Sequence, residues 1–461
     1  MVEHTASGGS ARVTTRESAF GLQLPVSRHT LANGLRVVFS VDHTAPIICV
    51  GVYYHVGMRL EPRGRTGFAH LFEHLMFQGS ESMAKMEIAQ LVQQNGGNLN
   101  GSTRYDFTNY FESMPAHTLD LALWMEADRM RGPVITQAEL DNQRDVVKNE
   151  IRVNVLNRPY GSFPWIDMQA VAYDNWHNSH NGYGDMADLD AASLEDVQSF
   201  FDSYYSPANA VLVVVGDFEE AHALELARRY FEDIPAAAAP GSADIVELRQ
   251  EAERRTSNVD ALANKPALAV GYHVPERGSR EYYAMGLLDQ VLLQGEDALL
   301  HQELVSRRGF TGGVDGGINF LGHMHNAQTP LLWCSELVHD RDVSADAILE
   351  AFDAVIERVR TEPLPQETLD RALVKARSSL YSTINDTSYP GYGRADLLAS
   401  FELFEGDAAQ VNTIEQRFTA VTPELVMETA REYLRASNRT ILTVVPGVAE
   451  ADPTAETGAA E

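Results

Sequence analysis

The chain has 461 residues, 44% of them hydrophobic and 22% charged. Those proportions exclude a disordered, collagen-like or coiled-coil chain, and the length allows roughly two to four domains with cores that need no disulfide. Only 36 Lys+Arg stand against 65 Asp+Glu, a net charge of -29. No nucleic-acid and no membrane partner is therefore expected, because phosphate and anionic lipid are bound by basic groups. The surplus favours neutral or basic partners and serves solubility. No run approaches the roughly 18 apolar residues of a membrane span. The first residues are polar and lack the apolar centre of a secretory signal, so a cytoplasmic product is expected; an exported form with its signal removed reads the same.

In chain order, Asn33-Gly34 supplies the turn of a first hairpin, because Asn-Gly accepts the positive φ that a tight turn needs. Residues 47–54 form a β-rich apolar run that includes Cys49. Cys334 sits in a similar run, and both are expected as buried free thiols rather than a disulfide. Residues 68–77 are apolar around most of a helix, which predicts a buried one. Further helices are expected over 86–94, 119–130 and 137–157, the last long and polar. Ser193 opens a helix that runs to Tyr205, with Glu195 and Asp196 in its first turn. The apolar run 210–215, closed by Gly216-Asp217, is short enough for a buried strand. Pro235 to Ser242, with four alanines between two prolines, has the composition of a linker that continues to about Lys265. Then come a strand over 267–274 and helices over 280–294, 344–360 and 365–385.

The two halves repeat. Helix, turn and apolar strand from Ser193 and Asn209 recur from Thr422 and Asn438, both at an offset of 229 residues. The reading is two related α/β domains of the α+β class with antiparallel or mixed sheets, a pseudo-twofold repeat. The expected boundaries are a mobile tail over 1–24, a first domain over 25–235, a linker over 236–265, a second domain over 266–447 and an acidic tail over 448–461.

The chemistry concentrates in His70-Leu71-Phe72-Glu73-His74. A helix turns about 100° per residue, so His70 and His74 share a face one turn apart with Glu73 beside them. Two such imidazoles can grip one zinc ion, leaving the carboxylate next to the water that the metal activates. A catalytic zinc takes three protein ligands as a rule. The helix after Thr136 offers Glu139, Asp141, Asp145 and Glu150, and spacing alone does not choose among them.

His70-x-x-Glu73-His74 is the inverted zinc motif of the inverzincins. With its flanks, residues 65–80, it resembles the pitrilysin, insulin-degrading enzyme and mitochondrial processing peptidase family. Four more segments agree: the Asn33-Gly34 hairpin, residues 96–103 with Tyr110 following, residues 142–150, and Tyr204-Tyr205-Ser206-Pro207-Ala208-Asn209 leading to Gly216. The resemblance spans about residues 25 to 447 and is sharpest in the first half. It implies one Zn2+ per chain held by His70, His74 and Glu150, which closes the third segment 76 positions after His74. It implies Glu73 as the general base of peptide-bond hydrolysis and residues 98–103 as an edge strand that binds substrate, with Asn100, Gly101 and Ser102 in contact. Gln143 stands where the family often has an acid, and it is expected to support a ligand histidine by a hydrogen bond.

One departure matters. Active two-half members carry an Arg and, seven residues later, a Tyr in the second half, and this chain has Glu303 and Phe310 at those places. Glu is an anion and Phe has no donor, so neither can stabilise an oxyanion. The expectation is a heterodimer in which a related subunit supplies the Arg and Tyr around a peptide or unfolded protein substrate. The alternative is a non-catalytic scaffold or core subunit of the same fold.

Overall fold

The run Ala210–Gly216 is apolar throughout because both faces of its strand are covered. In the computed structural model, which describes residues 21–238, 240–241 and 243–447, this strand is the third of a six-stranded sheet. The strands in chain order are β1 (Ser27–Thr30), β2 (Arg36–Val41), β3 (Ile47–Tyr54), β4 (Asn98–Thr103), β5 (Thr108–Pro115) and β6 (Ala210–Gly216), arranged β1-β2-β6-β3-β5-β4. A second sheet holds β7 (Arg254–Asp260), β8 (Ala267–His273), β9 (Asp315–Ile318), β10 (Leu332–Val338) and β11 (Arg439–Pro446), arranged β7-β11-β8-β10-β9. β2 runs parallel to β6 and β7 parallel to β11, while all other pairs are antiparallel. The sheets are therefore mixed, and the 229-residue offset brings Ala210 at the head of β6 onto Arg439 at the head of β11.

Alternation along a strand sends neighbouring side chains to opposite faces. In β6, Leu212 and Val214 enter the core shared with helices of the first half. Val211, Val213 and Val215 enter a second core, continuous with the helices of the second half and containing the helix Tyr392–Glu405. The first sheet is thus sandwiched between its own helices and the second domain. Cys49 and Cys334 are both free and buried. Gly216 ends β6 at φ 120°, and a Cβ there would lie 2.2 Å from the Ile47 carbonyl oxygen. Gly216→Ala should therefore cost roughly 3 kcal/mol from strain and overlap together, read as a Tm lower by several degrees in a thermal melt.

Two expected boundaries move. Part of the segment 236–265 read as linker is strand β7, whose residues alternate between half-buried and exposed. It is too polar to announce itself, and parallel pairing with β11 is what makes it a strand. The tail expected over 1–24 lies outside the described residues up to 20, but Leu22 and Leu24 are buried. Their N–H groups donate to Glu415 Oε1 at 3.1 Å and Asn412 Oδ1 at 2.7 Å, which ties the chain to the second domain. The acidic tail 448–461 lies outside the described residues. Among the described residues no helix is long and apolar enough to cross a membrane.

Candidate metal centre

The first four helices are α1 (Phe68–Leu75), α2 (Glu87–Gln94), α3 (Leu119–Arg131) and α4 (Gln137–Ile151), and the site is built on α1 and α4. α1 begins at Gly67, whose φ of 83° is left-handed and whose missing Cβ would sit 2.7 Å from the Gly184 Cα. The first N–H groups of a helix have no partner within it. Glu61 meets them, accepting from the Gly67 N–H at 2.9 Å and the Ala69 N–H at 2.8 Å. Burial raises the Glu61 pKa, and the neighbouring His180 and the two N–H groups act against that rise. A negative group at this end also suits the helix dipole. α4 begins with a reciprocal cap between Thr136 and Glu139, and it passes into a wider turn over Arg152–Leu156.

α1 and α4 pack so that three side chains converge. The His70 and His74 Nε2 atoms are 3.3 Å apart. His70 Nε2 lies 3.5 Å from Glu150 Oε2, and His74 Nε2 lies 3.6 Å from Glu150 Oε1. Among the described residues these form the one group of three that could hold a metal ion. Two ligands each about 2.0–2.2 Å from a tetrahedral zinc stand roughly 3.3–3.6 Å from one another, so the triangle has the size that zinc requires. The donor set, two imidazoles and a carboxylate, is one that zinc takes with an open fourth position. Hydrogen bonds from His70 and His74 pull the Glu150 carboxyl down to about 2. Burial acts to lower the His74 pKa, but Glu150, Glu73 and Gln143 together outweigh it and the net shift is upward.

Of the four acids left open by spacing, Glu150 alone joins the histidines. Glu139 caps its own helix, and Asp141 accepts from Gln137 and Arg144. Gln143 is buried and donates to Asn142 Oδ1 at 2.8 Å; it also helps favour the protonated form of His74. Glu73 sits on α1 beside His74 and accepts from the Thr103 hydroxyl at 2.8 Å. Thr103 closes β4, the edge strand. Tyr183 stacks on the His70 ring, centroids 4.8 Å apart and planes 14° apart. Beneath α1, the Arg129 guanidinium lies over the Tyr110 ring, whose hydroxyl donates to the Phe72 carbonyl at 3.1 Å. Burial, with Glu126 beside it, pushes the Glu112 carboxyl well above its ordinary range.

The register of β4 decides which groups face outward. The Arg104 N–H donates to the Phe107 carbonyl at 2.8 Å. Counting along the ladder makes Ser102/Asn109 and Asn100/Phe111 hydrogen-bonded pairs and Gly101/Tyr110 an unbonded one. Gly101 therefore turns its N–H and C=O out of the sheet, while Asn100 and Ser102 use theirs inside it. A Cβ on Gly101 would lie 3.2 Å from Glu73 Cγ and 3.3 Å from Phe77, so glycine lets the strand pass close over α1. Of the flanking side chains, Asn100 Nδ2 donates to the Tyr389 hydroxyl at 3.2 Å and Ser102 Oγ donates to Asn109 Oδ1 at 2.6 Å.

In the second half, Glu303 accepts from Arg307 at 2.6 Å and Arg308 at 3.0 Å. Both arginines near the place of the missing Arg are thus paired to the carboxylate that replaces it. Sequence reasoning missed Glu61, Tyr183 and the role of the Thr103 hydroxyl. Thr103 lay within a recognised segment, whereas Glu61 and Tyr183 reach the site across loops and carry no local pattern.

Residues 36–162 match the family model described as insulinase (peptidase family M16), and residues 191–374 match the one described as the peptidase M16 inactive domain. The chain is 26% identical over 423 residues to the zinc protease PqqE of Helicobacter pylori, covering 90% of this chain and 92% of that protein. It superposes on the crystal structure of a protease from Helicobacter pylori with a TM-score of 0.84 at 25% identity, covering 92% of this chain and 100% of that one. The fold also matches the periplasmic protease PqqL of Escherichia coli with a TM-score of 0.73 at 17% identity, covering 92% of this chain but 48% of that one.

Proposed function

The chain belongs to the M16 peptidase family, and on that premise we propose that it is the zinc-bearing subunit of a metalloendopeptidase that cleaves extended peptides or unfolded segments. The observation that carries this reading is the triangle of His70, His74 and Glu150 at 3.3–3.6 Å. A scaffold has no physical need for three such ligands and an adjacent carboxylate. Zinc held there would supply a Lewis acid that polarises the scissile carbonyl and lowers the pKa of water. Glu73 takes the proton released as water attacks and passes it to the leaving amine. Thr103 holds the Glu73 carboxylate from the side of β4. An extended peptide adds to β4 as a further strand, pairing with the outward N–H and C=O of Gly101. Main-chain pairing of that kind tolerates many sequences, and the charge of -29 favours basic ones by its field.

The second subunit completes the chemistry. Glu303 and Phe310 cannot support an oxyanion, and the nearest arginines, Arg307 and Arg308, lie paired against Glu303 on the surface. A related subunit carrying the Arg and Tyr supplies them across a shared chamber. The test is to measure zinc content and cleavage of a mixed peptide library by the chain alone and with a related subunit encoded beside it. The expected result is about one zinc per chain and cleavage that rises at least about a hundredfold on mixing, the scale of a lost oxyanion donor. Full activity of the chain alone would overturn the two-subunit arrangement. Absence of zinc would overturn the peptidase reading.

A further inference from the structure

The outward N–H of Gly101 is already engaged. Asn100 Oδ1 accepts from it at 3.0 Å. The same side chain is held at its other end, where Asn100 Nδ2 donates to the Tyr389 hydroxyl at 3.2 Å. The Asn100 amide thus lies along the rim of the sheet, across the outward Gly101 N–H. A peptide carbonyl that pairs with Gly101 has to displace it.

Tyr389 belongs to the second half, and its segment is firmly seated behind the first sheet. Its ring meets Phe111 of β5 edge-on, centroids 5.1 Å apart. Tyr392 stacks on the same Phe111 ring, centroids 3.9 Å apart. The Ser113 hydroxyl donates to the Pro390 carbonyl at 2.7 Å, and Arg394 donates to Asp42 at 2.8 Å. Gly391, at φ 88°, lets the chain pass where a Cβ would lie 2.9 Å from the Cys49 Cβ. The anchor of Asn100 is therefore a fixed point, set by how the two domains pack.

We propose that Tyr389 is a positioning residue that latches Asn100 over the Gly101 N–H, so that peptide entry to β4 is opposed by a contact from the second domain. The latch regulates the site of the proposed peptidase and rests on that reading for its consequence in catalysis, but not for its structural test. Tyr389→Phe keeps the ring against Phe111 and removes the acceptor.

The first measurement is hydrogen exchange of the Gly101 amide in the full-length chain without substrate. Loss of one hydrogen bond should speed it about two- to tenfold. Asn100→Ala should speed it too, and the double variant should exchange no faster than Asn100→Ala alone, since both act through one contact. Unchanged exchange in Tyr389→Phe, or full additivity of the two substitutions, would overturn the latch whether or not the chain is a peptidase. The second measurement is turnover of fluorescein-labelled unfolded casein in the two-subunit assembly. Tyr389→Phe should lower KM about two- to tenfold while kcat and zinc content hold. A raised KM would mean that Tyr389 helps substrate rather than opposing it, which overturns the proposal. If no variant cleaves casein, its binding to the Glu73→Gln chain by fluorescence anisotropy decides the same point, with tighter binding to Glu73→Gln/Tyr389→Phe expected and unchanged or weaker binding overturning the latch.

Discussion

Replacing Glu73 by Gln should leave the zinc in place and remove nearly all turnover. Gln has the shape of Glu and can still accept from the Thr103 hydroxyl, so the packing of α1 against β4 is kept. None of the three ligand side chains is altered. What is lost is the capacity to take a proton, and general-base catalysis contributes about 10²- to 10⁴-fold. The expected result is a kcat lower by that factor, with KM close to the parent value and about one zinc per chain by metal analysis. A variant with turnover within a few-fold of the parent would remove Glu73 from the proposed mechanism.

Removing a ligand should act differently, on the metal before the chemistry. Glu150→Gln and His70→Ala each open one corner of the triangle, and zinc affinity should fall by more than the 10- to 100-fold typical of a residue behind the ligands. Activity should return in part at high zinc for Glu150→Gln, which keeps an oxygen at the site. Competition by protons has a definite sign. The imidazoles must be neutral to bind metal. In the metal-free protein Glu150 raises the His74 pKa, and Glu150 itself stays ionised down to about 2. Protonation of the His74 ring, rather than of Glu150, therefore sets the competition. Zinc affinity, measured by chelator competition from about pH 8 to about pH 5, should weaken as the pH falls through the raised His74 range. An affinity independent of pH over that span would contradict the assignment of His74 as a ligand.

The parts of this site written locally in the chain were legible there. Helical spacing alone brings His70, Glu73 and His74 to one face, because four residues make one turn. Glu150 was not legible in that way. It shares α4 with Glu139, Asp141 and Asp145, and which acid meets the histidines depends on how α1 and α4 cross, a contact between residues 76 apart or more. Family resemblance named it, and the geometry brings it within reach. The repeat was legible because two helices of 11 residues each, Leu194–Tyr204 and Pro423–Tyr433, lead through Asn209 and Asn438 into the largely buried strands β6 and β11. β7 was not, since a strand at the rim of a sheet needs few apolar side chains. The side chains of Asn100 and Ser102 were expected at the substrate; in the structure Ser102 bonds Asn109 of the neighbouring strand, while Asn100 spans from the outward Gly101 N–H to Tyr389 of the second half.

The bare rim of β4 has a cost apart from catalysis. A row of outward main-chain groups is as good a template for another copy of the same strand as for a substrate. Two devices oppose such stacking in this chain: the Asn100 amide that covers one donor, and a surplus of negative charge that drives like molecules apart. Salt weakens the second and leaves the first, because screening shortens the reach of the field but does not break a contact at 3.0 Å. At high salt, therefore, resistance to stacking and substrate access trace to the same few atoms at the rim of one sheet.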